Sequence, residues 1–244
     1  MKKALLTIGC GIALATSSAY AVPALQLDIL GGTYDSGSGT IIASGNPLTL
    51  VALYDSSQPL ATSSFFISAA IVPKTSDINS FGSFTINGMT YSGAEGNVQF
   101  GTPPVSAVNP NLLPDHGIFP TVYAQIAFSF DPSKTALSYD SSVNPDGLTP
   151  DATGTLQYVE FTVDVSGLVA GDVLHFDLYD DLVNNHPLRS TPSDYAPFSN
   201  DAASGRSVPD GGMTLGFLGL ACLAIIGIQR RIASRVPVPV RKKD

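Results

Sequence analysis

The chain has 244 residues, of which 13% are charged and 44% hydrophobic, with a formal net charge of −8. So little basic charge excludes a nucleic-acid binder, which needs a Lys/Arg-rich face. Scarce Glu, Lys and Arg beside 23 Gly and 18 Pro argue against a long helical bundle, and the apolar content argues against bulk disorder. The charge is also segregated. Residues 22–207 carry four basic and 18 acidic side chains, a net of −14, whereas eight of the twelve basic residues crowd into the two ends.

Lys2 and Lys3 precede an apolar run over residues 4–15, which ends in Thr16-Ser17-Ser18-Ala19-Tyr20-Ala21. A basic start, a short apolar core and an Ala-x-Ala site predict a signal helix over 1–21, cut after Ala21 by signal peptidase. Ala19 and Ala21 are the small residues of that site.

Residues 22–207 have the period of strands. Leu25, Leu27 and Ile29 alternate with Gln26 and Asp28, and Leu48, Leu50 and Ala52 follow Pro47. Residues 65–72 form a β-rich run closed by Pro73. Asn87-Gly88 between two β-prone triplets predicts a type I′ hairpin. Residues 122–130, 156–165 and 173–179 read as further strands. In the last of these, Leu174, Phe176 and Leu178 share one face. The proline-rich residues 101–121 predict a long ordered loop or flap. The expected architecture is all-β: an antiparallel β-sandwich of jelly-roll or Ig-like type over 22–200, with a linker at 201–207.

Candidate chemistry in this domain is sparse. The mature region lacks cysteine, so disulfides, thiolate nucleophiles and Cys metal sites are excluded. His116, His175 and His186 are the only histidines, and the HExxH spacing is absent. His175 and Asp177 stand at i and i+2 and so share a strand face, open to a metal pair, although an exposed polar face is the ordinary account. For His116, within Pro114-Asp115-His116-Gly117, a turn role suffices. Residues 140–151 are oxygen-rich but miss the EF-hand template, since Thr153 falls where Glu is required. Asp177, Asp180 and Asp181 form another oxygen-rich group. These carboxylates are the metal candidates, with calcium the ion that extracellular oxygen ligands would favour. No cofactor is otherwise expected. The only two glutamates, Glu95 and Glu160, establish no glycosidase pair, and no Gly-x-Ser-x-Gly elbow occurs. The expectation is a protein that is not an enzyme.

At the C-terminus, Val208-Pro209-Asp210-Gly211-Gly212 leads into an apolar run over residues 213–229, followed by Arg230-Arg231 and a basic tail to 244. The run predicts one transmembrane helix, and the arginines act as a stop signal that keeps the tail cytoplasmic and the acidic domain outside.

The short motif, the small-residue apolar helix and the basic cluster together resemble the PEP-CTERM class of sorting signals. The VPDSG-CTERM variant is the most similar, with Gly211 where Ser is usual. That resemblance implies recognition by exosortase, a membrane transpeptidase that supplies the reaction's own nucleophile. Several segments also resemble the exported bacterial proteins called choice-of-anchor N: residues 23–29 with Tyr34-Asp35, residues 114–121, 161–168 and 175–179, and Ala196-Pro197-Phe198-Ser199-Asn200-Asp201-Ala202. The resemblance implies one ectodomain paired with different surface-sorting tails.

The expected function is that of a non-enzymatic cell-surface or matrix protein. Its expected partners are signal peptidase, an exosortase-type transpeptidase and membrane lipid. An alternative is a carbohydrate-binding β-sandwich for extracellular polysaccharide, calcium-dependent or not, with Tyr34, Tyr54, Tyr91, Tyr123, Tyr158 and Tyr179 as stacking platforms.

Overall fold

A computed structural model describes residues 22–58, 60, 64–104, 113, 116–180 and 195–205. The signal segment with Ala19 and Ala21, the motif at 208–212, the apolar run with Arg230 and Arg231, Asp181 and His186 lie outside the described residues. Among the described residues, no helix is long and apolar enough to cross a membrane.

Two β-sheets face each other. The first contains β1 (Leu25–Ile29), β4 (Leu48–Asp55), β6 (Phe84–Ile86), β7 (Met89–Tyr91), β10 (Thr135–Ala136) and β11 (Leu156–Asp164). Its order is β1-β4-β11-β6-β7, and β10 also pairs with β11. The second contains β2 (Thr33–Asp35), β3 (Thr40–Ile42), β5 (Phe65–Val72), β8 (Gln99–Gly101), β9 (Thr121–Phe128), β12 (Val173–Asp180) and β13 (Asp201–Ala203). Its order is β2-β3-β13-β12-β5-β9-β8. All pairings are antiparallel except that of β13 with β3.

The alternation read from the sequence sets the core. Leu25, Leu27 and Ile29 on β1, Leu48, Leu50 and Ala52 on β4, and Phe161 and Val163 on β11 meet Phe65, Ile67, Ala69 and Ile71 on β5 and Leu174, Phe176 and Leu178 on β12. Burying such side chains stabilises by about 1.5–3 kcal/mol each, before the entropy of ordering them is set against it. Asn87 and Gly88 both take positive φ, 50° and 78°, as the predicted hairpin between β6 and β7 requires.

Two expectations change. Residues 201–203, expected in a linker, form β13, a fully buried strand between β3 and β12. The outer face of the second sheet is also not solvated. Ala70, Tyr123 and Tyr179 on that face pack with Leu113 and Phe119, so β12 is buried along nearly its whole length. Chain from the β8–β9 connection and the segment around residues 195–200 cover it. The Ala196 amide donates to the Leu178 carbonyl, and Lys74 Nζ donates to the Phe119 carbonyl.

Candidate functional site

The site lies on that covered outer face. Residues i and i+2 of a strand share a face, so β12 presents His175 and Asp177 together. In the β12–β13 register His175 stands opposite Ala203 and Phe176 opposite Ala202, and one step beyond that pair places Asp201 across from Asp177. His116 reaches the same point from the β8–β9 connection. Its ring stacks on Phe198, centroids 4.2 Å apart, and meets Phe119 edge-on.

Four ligand-type atoms converge. His116 Nε2 lies 3.0 Å from Asp177 Oδ1, 3.3 Å from His175 Nε2 and 3.9 Å from Asp201 Oδ2. His175 Nε2 lies 3.6 Å from Asp177 Oδ1 and 3.5 Å from Asp201 Oδ2. His175, Asp177 and Asp201 are buried, and Asp201 is 1% exposed. The second oxygen of Asp177 accepts a 2.7 Å hydrogen bond from Ser68 Oγ on β5. Neither carboxylate oxygen of Asp201 has a hydrogen-bond partner.

The electrostatics follow from packing two acids and two imidazoles out of water. Burial opposes charge on His175, but Asp177 and Asp201 outweigh it and push its pKa up to about 10. Burial likewise opposes charge on His116, and Asp177 raises it. Burial raises Asp177 too, yet the two imidazoles hold it well below the usual carboxylate range. Asp201 goes the other way: burial, then the neighbouring Asp177 charge, lift it to about 6. A cavity of about 560 Å³ opens beside the cluster, lined by His116, His175, Phe198 and Asp201 together with Asp35, Ser38 and Thr40.

The face carrying His175 and Asp177 is therefore buried, against the expectation of an exposed polar face. The reason is that the second sheet is covered on both sides. Asp180 is buried at the end of β12 and lies outside the four-residue cluster, so of the two candidate carboxylates among the described residues Asp177 is the one placed in it. His116 and Asp201 enter instead. Their signal is faint: an aspartate at the head of Asp201-Ala202-Ala203, and a histidine in a loop.

The oxygen-rich residues 140–151 are folded over β1. Asp140 accepts hydrogen bonds from Ser142 and Asn200, while buried Asp28 accepts from Tyr139 Oη, the Asp146 amide and the Ile29 amide. The tyrosines proposed as sugar platforms serve packing: Tyr91, Tyr123 and Tyr179 are buried, and Tyr34, Tyr54 and Tyr158 are half-buried against the cores.

The sequence matches no family model, and no curated protein matches it significantly. Among solved structures, the chain is similar to ACE19, the collagen-binding subdomain of the Enterococcus faecalis surface protein ACE. The alignment covers 77% of this chain and 99% of that one, at 8% identity and a TM-score of 0.25. At that level the likeness transfers neither fold nor ligand, and the β-sandwich rests on the two sheets themselves.

Proposed function

We propose that this is an exported, non-enzymatic cell-surface or matrix protein of bacterial type. Residues 1–21 direct its export and residues 208–244 hold it in the membrane or sort it onward. The observation that carries this reading is the charge arrangement: an acidic domain of net −14 between two apolar segments, each bearing its basic flank on the side expected to stay cytoplasmic. Val22, the residue that cleavage after Ala21 would leave first, packs against the cluster of Val51, Leu53, Ala136 and Leu156, and its carbonyl accepts from Gln58. That contact supports a cleavage point at the margin of the folded domain. In this reading signal peptidase removes the leader, an exosortase-type transpeptidase acts at Val208-Pro209-Asp210-Gly211-Gly212, and lipid receives residues 213–229. Ser68 Oγ donates to Asp177 rather than to an imidazole, so among the described residues no Ser–His pair is set up in the cluster.

The test replaces Val208, Pro209 and Asp210 by alanine in the native host. The wild type is expected to lose the mass of its tail and to reach the cell surface, with the variant kept in the membrane at higher mass. Identical processing of both would leave only a simple anchor, and a wild type retained in the cytoplasm would overturn export.

A second reading, a carbohydrate-binding module, is favoured by one feature. The cavity combines the Phe198 ring with Asp35, Ser38 and Thr40, an aromatic wall beside polar groups. Retention of the protein on extracellular polysaccharide, with and without calcium, tests it. No retention on any polysaccharide removes it.

A further inference from the structure

We propose that His116, His175, Asp177 and Asp201 form a binding site for one divalent transition-metal ion of the zinc type. The proposal is independent of where the protein is sorted. It rests first on the spacing of the ligand atoms. A tetrahedral ion with bonds of about 2.0–2.1 Å separates its ligand atoms by about 3.3–3.4 Å. Five of the six separations, the His–His and His–Asp ones, run from 3.0 to 3.9 Å and bracket that value, and all four atoms lie within 4.8 Å of one another. One ion placed among them needs only small side-chain adjustments.

The second support is the Asp201 carboxylate. It is buried, aimed into the cluster and without a hydrogen-bond partner at either oxygen. Its 3.5 and 3.9 Å separations from the two imidazole nitrogens are longer than hydrogen bonds. The imidazoles thus face it as charges only, and no hydrogen bond satisfies its lone pairs, which is an incomplete environment for a buried carboxylate. A cation at the centre supplies the missing partner. Once the ion has displaced the imidazole protons, two neutral imidazoles, two carboxylates and a divalent ion sum to zero charge, as suits a buried site.

The third support is the shell around the ligands. Ser68 holds the distal oxygen of Asp177, and Phe198 fixes the plane of His116. Ligands of real metal sites are oriented in this way by outer partners. The donor set selects the ion class. Calcium takes six to eight oxygen ligands and magnesium a regular octahedron of oxygens, whereas two nitrogens and two oxygens at tetrahedral spacing suit zinc. With four protein ligands the coordination is closed, so the ion's role is to staple. It would tie the β8–β9 connection and the C-terminal β13 onto the central strand β12. The adjoining cavity gives the ion a route in.

The test uses the full-length protein, purified in detergent, stripped with a chelator and dialysed. Zinc, calcium and magnesium are then titrated separately while metal content and thermal unfolding are followed. One zinc per chain and a rise in Tm with zinc alone are expected. The cobalt-loaded protein should show the strong visible absorption of a tetrahedral ion. His116→Ala is chosen because its loop position spares the strands, and Asp201→Asn because it keeps the shape of the side chain. Each should lower zinc affinity by more than about 100-fold with an unchanged far-UV circular dichroism spectrum. Zinc binding of equal affinity in both folded variants would overturn the proposal, as would no bound zinc and no Tm shift in the wild type. A stronger response to calcium than to zinc would overturn the assignment of the ion.

Discussion

His116 and His175 are 59 positions apart in the chain, yet their Nε2 atoms face each other at 3.3 Å. Two imidazole nitrogens this close, both turned to the same pair of carboxylates, are poorly arranged as neighbours and well arranged as co-ligands. The groups that aim them should then tune affinity without touching the ion. Ser68→Ala removes the hydrogen bond to Asp177, and Phe198→Ala removes the ring behind His116. Each is expected to weaken zinc binding about 10–100-fold in a calorimetric titration, with stoichiometry unchanged. Unaltered affinity in both variants would mean that neither side chain positions a ligand.

A second polar network lies on the outer side of β1, under residues 139–146. Gln26 Nε2 donates to the Tyr139 carbonyl, and Gln26 Oε1 accepts from the Ser141 amide at 2.9 Å. Asn200, next to Asp201, donates to Ser141 Oγ and Asp140 Oδ1. Gln26→Leu leaves a buried amide and carbonyl without their partner, and should cost about 1–3 kcal/mol in urea denaturation. A double-mutant cycle with Asn200→Ala should show coupling of about 0.5 kcal/mol or more, since the two side chains share Ser141. Strict additivity would show that the loop is not clamped as one unit.

How much of this was legible in the sequence differs from element to element. Residues 65–72 become β5 with the same bounds, because Pro73 ends an unbroken β-prone run. The Asn87-Gly88 hairpin was equally plain, since its conformational demand is local. β13 was not legible: Asp-Ala-Ala has no strand pattern of its own, and its strand state comes from parallel pairing with β3, about 160 residues earlier. For the site, His175 and Asp177 could be placed on one face by spacing alone. Their convergence with Asp201 depends on the β12–β13 register, and with His116 on a loop crossing the sheet. Neither is a property of any short stretch of sequence.

Asp55 provides a pH-dependent term away from the cluster. Burial raises its pKa, but hydrogen bonds from Gln58 and Ser57 outweigh this and leave it lowered. A carboxylate with a folded-state pKa below its unfolded value contributes stability that is present above about pH 3.8 and lost as pH falls through the folded value. Asp55→Asn should therefore cost about 1.5 kcal/mol at pH 7, the lower end of the range for hydrogen bonds to a charged group. The difference between wild type and variant should shrink as the pH is lowered from 4 to 2. A difference independent of pH would assign the loss to shape rather than to charge.

Gly82 and Gly88 separate steric from conformational cost. Both have positive φ, 82° and 78°, where a Cβ costs about 1–2 kcal/mol. At Gly88 an added Cβ meets open space, whereas at Gly82 it runs into the Gly167 carbonyl oxygen. That carbonyl is not free to retreat, because it accepts from the Ser83 amide at 2.9 Å, and the neighbouring Val169 amide donates to Phe81 at 2.9 Å. Gly88→Ala should thus lose only about 1–2 kcal/mol in denaturant unfolding. Gly82→Ala should lose clearly more, since the link between the β5–β6 connection and residues 167–169 must open to admit the methyl group. Equal losses at the two positions would show that this link can shift at no cost, and that φ alone sets the need for glycine.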